Sequence, residues 1–197
     1  MGVIEPGGNV IEATPSRIEA YSVGSPALGA ADDVLAAYTD DGAAAVFPAD
    51  QAFAGQPDVA RNITATAGGT AGDVAAIQVT VTGTDINGNV ISEDLPAFTV
   101  NTTGIVTGTK CFKTVTQIDI PAHDGTGATT AVGLGAKLGL PVKTSRDTVI
   151  AAFFGGVREA TRPTVTFSSS ALESNGLTLN TALDGSSVVV DFYRPGS

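Results

Sequence analysis

From Arg61 onward the chain alternates apolar and polar residues with a period of two. Ile77, Val79 and Val81 interleave with Gln78, Thr80 and Thr82, which predicts a half-buried strand rather than a helix. Thr84-Asp85-Ile86-Asn87-Gly88-Asn89 follows as a turn, because Asn-Gly accepts the positive φ that tight hairpins require. Val90 to Leu95 returns as the antiparallel partner. The same reading places strands at Arg61 to Thr66, Phe98 to Thr102, Lys113 to Ile120, Thr129 to Val132, Thr148 to Phe154, Thr164 to Ser168, Leu177 to Asn180 and Ser187 to Tyr193. Turn signals at Gly68-Gly69, Asp124-Gly125, Ser174-Asn175-Gly176 and Asp184-Gly185 separate them. Short strands at this regular spacing predict an all-β fold, an antiparallel β-sandwich of jelly-roll-like form, over residues 57–197.

Residues 1–56 read differently. Pro6, Gly7-Gly8, Pro15, Pro26 and Pro48 punctuate them, and no apolar period persists, so an irregular N-terminal arm or subdomain is expected. Within it Ala30 to Tyr38 is compatible with two turns of helix, with Asp32 or Asp33 near the positive end of its dipole. The apolar beads Val3, Ile4, Val10, Ile11, Ile18 and Tyr21 need burial, either on a partner surface, where they would be the binding residues, or against the chain's own domain.

Composition narrows the function. Charged residues are 15% of the 197 positions, against about 25% in ordinary globular chains, so hydroxyls, amides and backbone cover the surface. The net charge is −10, and the ten cations are scattered, with no more than pairs such as Lys110/Lys113 and Arg158/Arg162 at close spacing. Phosphate-neutralising clusters are therefore missing, and nucleic-acid binding is disfavoured. The first nine residues carry no basic region followed by an apolar run, and the stretch Val149 to Val157 is too short to span a bilayer. Folding in a cytosol, with no membrane partner, is expected.

Chemistry is hard to staff. One His, one Cys, one Met and no Trp are present. His123-Asp124 is the one place for a general base, but no Gly-x-Ser-x-Gly elbow supplies a nucleophile, and the segment reads as a loop cap. Cys111 cannot form an intrachain disulfide; Lys110 and Lys113 would lower its pKa slightly, yet a small buried strand residue is the better reading. The pairs Asp32/Asp33, Asp40/Asp41 and Glu93/Asp94 raise metal binding, but neighbours in a strand face opposite ways. Asp85-x-Asn87-Gly88-Asn89 lacks the distal Glu of a calcium loop. Gly133-Leu-Gly135-Ala-Lys-Leu-Gly139 is spaced one residue too long for a dinucleotide fingerprint and is expected to let strands approach closely. No catalytic, cofactor or metal residue is assigned.

Several strings, taken in order, carry a resemblance: Pro57-Asp58-Val59-Ala60-Arg61-Asn62-Ile63-Thr64-Ala65-Thr66, Val79 to Asp85 with Gly88-Asn89, Phe112 to Thr116, Ile120-Pro-Ala-His-Asp-Gly125, and Gly135-Ala-Lys-Leu-Gly-Leu-Pro141. Together they resemble β-rich virion structural proteins of tailed bacteriophages, most of all head decoration (cement) proteins. The resemblance implies a non-enzymatic part of the particle with no cofactor, made in the host cytoplasm and seated on the head surface. It further implies a homotrimer whose partner is the major capsid protein. A tail-tube or minor tail protein is the alternative within the particle, and a carbohydrate-binding fibre module is the alternative from another class.

Overall fold

The computed structural model describes residues 17–50 and 53–194 with their side chains, and the backbone of Val3–Ile4 and Val10–Ile11 before them. In chain order the strands are β1 (Val3–Ile4), β2 (Val10–Ile11), β3 (Arg17–Gly24), β4 (Leu35–Thr39), β5 (Ala45–Pro48), β6 (Arg61–Gly69), β7 (Thr80–Thr84) and β8 (Val90–Asp94). They continue as β9 (Gly104–Phe112), β10 (Thr114–Ile120), β11 (Ala128–Gly139), β12 (Val149–Phe154), β13 (Val157–Arg158), β14 (Thr164–Thr166), β15 (Gly176–Thr178) and β16 (Val188–Arg194). Single 3-10 turns occur at Ala71–Asp73 and Leu172–Ser174. Every ladder is antiparallel, as the alternation predicts.

Three sheets make the body. One runs β5-β10-β7-β8, a second β14-β15-β11-β6-β9 with β4 also on β11, and a third β13-β12-β16-β3. The first and second enclose a core that includes Ile63, Ala65, Val81, Phe112, Ile118 and Val132. The second and third enclose another, with Leu138, Leu177, Val149, Ala152, Val188 and Val190. The twelve-residue β11 joins them: Val132 lies in the first core and Leu138 in the second.

Where β11 passes from one core to the other, its register against β6 breaks between Leu134 and Leu138. Two side chains of β6 fill the break. Arg61, 1% exposed, donates from Nε to Gly135 O at 2.7 Å and from Nη1 to Ala27 O at 3.0 Å and to Asp58 Oδ1 at 3.1 Å. Asn62 accepts Lys137 N–H at 2.9 Å and donates to Gly108 O at 2.9 Å, stitching β11 to β9. Backbone groups released by the bulge are thus satisfied by side chains, as buried polar groups must be. The glycines of this stretch permit close approach: a Cβ at Gly133 would lie 1.9 Å from Ala30 O, and one at Gly135 2.3 Å from Asn62 Oδ1.

The predicted hairpin at 85–89 is present, with Asp85 N–H bonded to Asn89 O, Gly88 N–H to Asp85 O, and Gly88 at φ +84°. Other expectations are corrected. Ala30 to Tyr38 holds no helix; its second half is β4, paired with Thr129, Thr130 and Val132 of β11, because burying Leu35 against that strand outweighs the helix preference of Ala and Leu. Phe98 to Thr102 is a loop, turned at Asn101 with φ +55°, and the strand lies later, at β9. The segment expected to be an irregular arm supplies β3, β4 and β5 to the body sheets.

Candidate functional site

His123 and Cys111 are both buried in the molecule's own packing. His123 is 7% exposed; Nδ1 accepts Ala75 N–H at 3.1 Å, which places the ring proton on Nε2, 2.9 Å from Thr130 Oγ1. Its backbone N–H donates to Asp40 Oδ2. Burial lowers the imidazole pKa, against the opposing pull of Asp40 and Asp124. The loop-cap reading of His123 fits this geometry.

Cys111 is buried in β9 and its thiol is pushed up to about 12, chiefly by burial. The cation that opposes this is Lys137, not the adjacent lysines the sequence suggested, because Lys137 lies on the neighbouring part of β11 while its Nζ caps Ser174 O at 3.2 Å. Most carboxylates of the acidic pairs accept hydrogen bonds from the chain itself. Asp40 Oδ1 accepts Gly42 N–H, Asp41 Oδ1 accepts Ala43 N–H, and Asp33 Oδ2 accepts Ala30 N–H. Glu93 takes Thr109 and Lys110 N–H on β9, while Asp94 takes the Thr80 hydroxyl across β7. Among the described residues no group of three or more His, Cys, Asp or Glu is placed to hold a metal ion.

Asp85, 3% exposed, is the hub of its turn: Oδ1 accepts Asn87 and Asn89 N–H, and Oδ2 the Asn89 amide. Burial is the largest influence on this carboxyl and raises its pKa, but the hydrogen bonds from Asn89, Asn87 and Gly88 together outweigh it and hold the pKa below the ordinary value.

What the fold leaves open is a face. In the third sheet Tyr21, Val190 and Ala152 stand opposite one another on β3, β16 and β12 and point into the second core. The intervening rows point away from it: Ile18 beside Tyr193, Ala20 beside Asp191 and Ala151, and Ser22 beside Val189 and Phe153. Ile18 is 66% exposed, and Val189, Tyr193 and Phe153 are half-buried. Ile150, at a register break in β12, is 46% exposed and borders a cleft of about 400 Å³ with Arg158, Arg162 and Pro163. Arg162 is tied down by Asp147 Oδ2 at 2.6 Å and Val149 O at 2.9 Å. Ile18, Ala20 and Ser22 of these rows are exposed, while Ala151 at the β12 end is buried beside the 158–163 segment.

Of the partner-binding beads read from sequence, Ile18 lies on this face, whereas Tyr21 packs on the molecule's own second core, where burial raises its phenol pKa. Val3 and Ile4 pair in backbone register with Ile11 and Val10; their side chains lie outside the described residues. Phe153, Val189 and Ile150 were not singled out from sequence, although a signal exists. Val188-Val189-Val190 and Ala151-Ala152-Phe153-Phe154 are apolar at consecutive positions, the pattern of strands meant to be covered on both faces.

Comparison with models of known families, with curated proteins and with solved structures finds no match to this chain.

Proposed function

We propose that this chain is a non-enzymatic structural subunit of a tailed-phage particle, a head decoration protein that bridges and stabilises major capsid subunits. One observation carries the reading. The central strands β12 and β16 carry apolar side chains on both faces, Val189, Phe153 and the ring of Tyr193 flanking Asp191 on the outer one, and the chain's own core covers the inner face. A strand pair of that kind is at rest in a two-sided layer, so the open rows through Ile18, Val189 and Phe153 suit an added protein surface. The low density of charge supports this, since few ions must be stripped of water on docking. An interface of about 1,600 Å² is enough for specific attachment.

The edge strand β3 adds a second means of attachment. It runs for eight residues with β16 on one side and, among the described residues, no strand on the other, so its edge can extend the sheet into a neighbour. Trimerisation through the body, with this sheet toward the shell, is the arrangement proposed; the resemblance in sequence supplies the partner's identity.

The test is binding of the purified chain to empty expanded capsids, read by co-sedimentation and by the temperature at which the shells disrupt. Saturable binding by discrete trimers with a raised disruption temperature is the expected result. Rings or stacked polymers in sedimentation would instead favour the tail-tube reading, and failure to bind any shell would overturn the head assignment.

A further inference from the structure

Two Asn-Gly pairs occur in the chain, Asn87-Gly88 and Asn175-Gly176, and the fold treats them oppositely. In such a pair the backbone nitrogen of the glycine can attack Cγ of the asparagine side chain. The new N–C bond closes a five-membered succinimide as the bond to the side-chain nitrogen breaks and ammonia leaves. Water then opens the ring at either carbonyl, leaving aspartate or isoaspartate. Glycine favours the attack because no Cβ obstructs its approach.

Asn175 is held against this reaction. It is 1% exposed. Its Oδ1 accepts Ser168 N–H at 2.9 Å, and its Nδ2 donates to Ala171 O at 2.7 Å and Ser168 O at 2.9 Å. To bring Cγ onto Gly176 N, several buried hydrogen bonds must break at once and water must enter a packed site. Gly176 is itself fixed between Gly139 and Thr166 in the second sheet.

Asn87 sits at the tip of the β7–β8 hairpin, exposed, and its side chain makes no hydrogen bond among the described residues. It borders a wide solvent cleft shared with Lys143 and Glu173. The nucleophile is restrained only by Asp85, whose backbone O accepts Gly88 N–H at 3.0 Å and whose carboxylate also draws on that N–H. Gly88 has open space around it. Opening an exposed hairpin tip held by one residue is cheaper than opening a buried, multiply bonded site.

We propose that Asn87 is a site of spontaneous succinimide formation and deamidation in the folded protein, and that Asn175 is silent until the chain unfolds. The product places new charge beside the Asp85 carboxylate. In its isoaspartyl form it also inserts a methylene into the backbone between the two residues whose bonds close the turn, so the β7–β8 register is what ages.

The test is incubation of the native full chain at mildly alkaline pH, with peptide mapping by mass spectrometry and an isoaspartyl methyl-transfer assay at successive times. Conversion at Asn87 is expected to outrun that at Asn175 by at least about tenfold in the folded protein, and the two rates should converge in denaturant. Asn87→Gln should abolish the early acidic charge variant. Asp85→Asn, which weakens the clamp on the turn, should accelerate conversion at Asn87. Equal native rates at the two sites, or an Asn87 amide that survives while the denatured chain converts, would overturn the proposal.

Discussion

His123 Nδ1 accepts the backbone N–H of Ala75 at 3.1 Å, and this contact fixes the state of the one imidazole in the chain. A protonated ring has no lone pair for that N–H, so charging it breaks the link between the 121–125 loop and the segment after the Ala71–Asp73 turn. Burial holds the folded pKa below the ordinary 6.5. Below pH 6.5 the unfolded chain therefore binds a proton that the folded chain does not. The contribution to stability is full above that pH, declines as pH falls from it, and is wholly lost below the folded value. Urea midpoints measured between pH 8 and pH 4 should show this decline, and His123→Gln should flatten it while lowering overall stability by about 1–2 kcal/mol. Asp85, whose folded pKa is depressed, acts in a separate window: its contribution is present above 3.8 and lost as pH falls through its folded value.

Among the described residues Asp58 carries the only carboxylate bonded to Arg61, and it is 33% exposed while the guanidinium is 1% exposed. Removing it strands a buried cation at the junction of the two cores. Asp58→Ala should cost about 2 kcal/mol, less than for a fully buried pair because water reaches the carboxylate. The Ala27 N–H, which Asp58 also caps at 2.8 Å, loses its acceptor too. Replacing Arg61 and Asp58 together with apolar residues should recover part of the loss, a coupling that a double-mutant cycle of denaturation midpoints would measure.

Glycine substitutions should separate by surroundings rather than by backbone angle alone. At Gly133 an added methyl meets the main chain at Ala30 O, which cannot step aside without moving β11 or the 29–31 segment. Gly133→Ala should therefore cost more than about 3 kcal/mol or prevent folding. Gly88→Ala meets nothing within 4 Å but must hold φ +84°, a cost of about 1 kcal/mol. Thermal melts of the two variants give the comparison directly.

Cys111 should resist alkylation in the folded protein. Its thiol, pushed up to about 12 by burial, offers almost no thiolate at pH 8, and the thiolate is the nucleophile. Labelling with iodoacetamide should follow unfolding, becoming fast only in denaturant; brisk labelling of native protein would contradict the packing described around β9.

The strands legible in the sequence are those with clean alternation or an explicit turn, such as β7 and β8 around Asn87-Gly88. The illegible ones depend on neighbours. β9 carries Thr103-Gly104 and Thr107-Gly108-Thr109, Thr-Gly pairs that read as turns, yet a Cβ at Gly108 would meet Glu93 Oε2 at 2.7 Å. That crowding exists only after β8 and β9 have come together. Likewise Leu35-Ala36-Ala37 in β4 has the local preference of a helix, and pairing with β11 makes it a strand. The internal roles of His123 and Cys111 could be read from residue types and spacing. The open face is legible only in part: the consecutive apolar positions of β12 and β16 signal it, but β3 belongs to a segment with no visible period, and its partner β16 lies at the other end of the chain.

Ile18 and Tyr21 sit three residues apart on the same strand, and the period of two sends them to opposite faces of the sheet. Tyr21→Ala should act on folding: it removes an aromatic ring from the second core and should cost about 2–3 kcal/mol, visible in the denaturation midpoint of the isolated protein. Ile18→Ser removes a side chain that is 66% exposed and should change that midpoint by no more than about 0.5 kcal/mol. If the outer face docks on a capsid shell, Ile18→Ser and a charge at Phe153 should nevertheless weaken shell binding, about tenfold or more for a residue at the centre of such an interface. Co-sedimentation of each variant with empty capsids, beside its melt, separates the two effects. Full binding by folded Ile18→Ser and Phe153→Asp proteins would show that attachment uses a different surface.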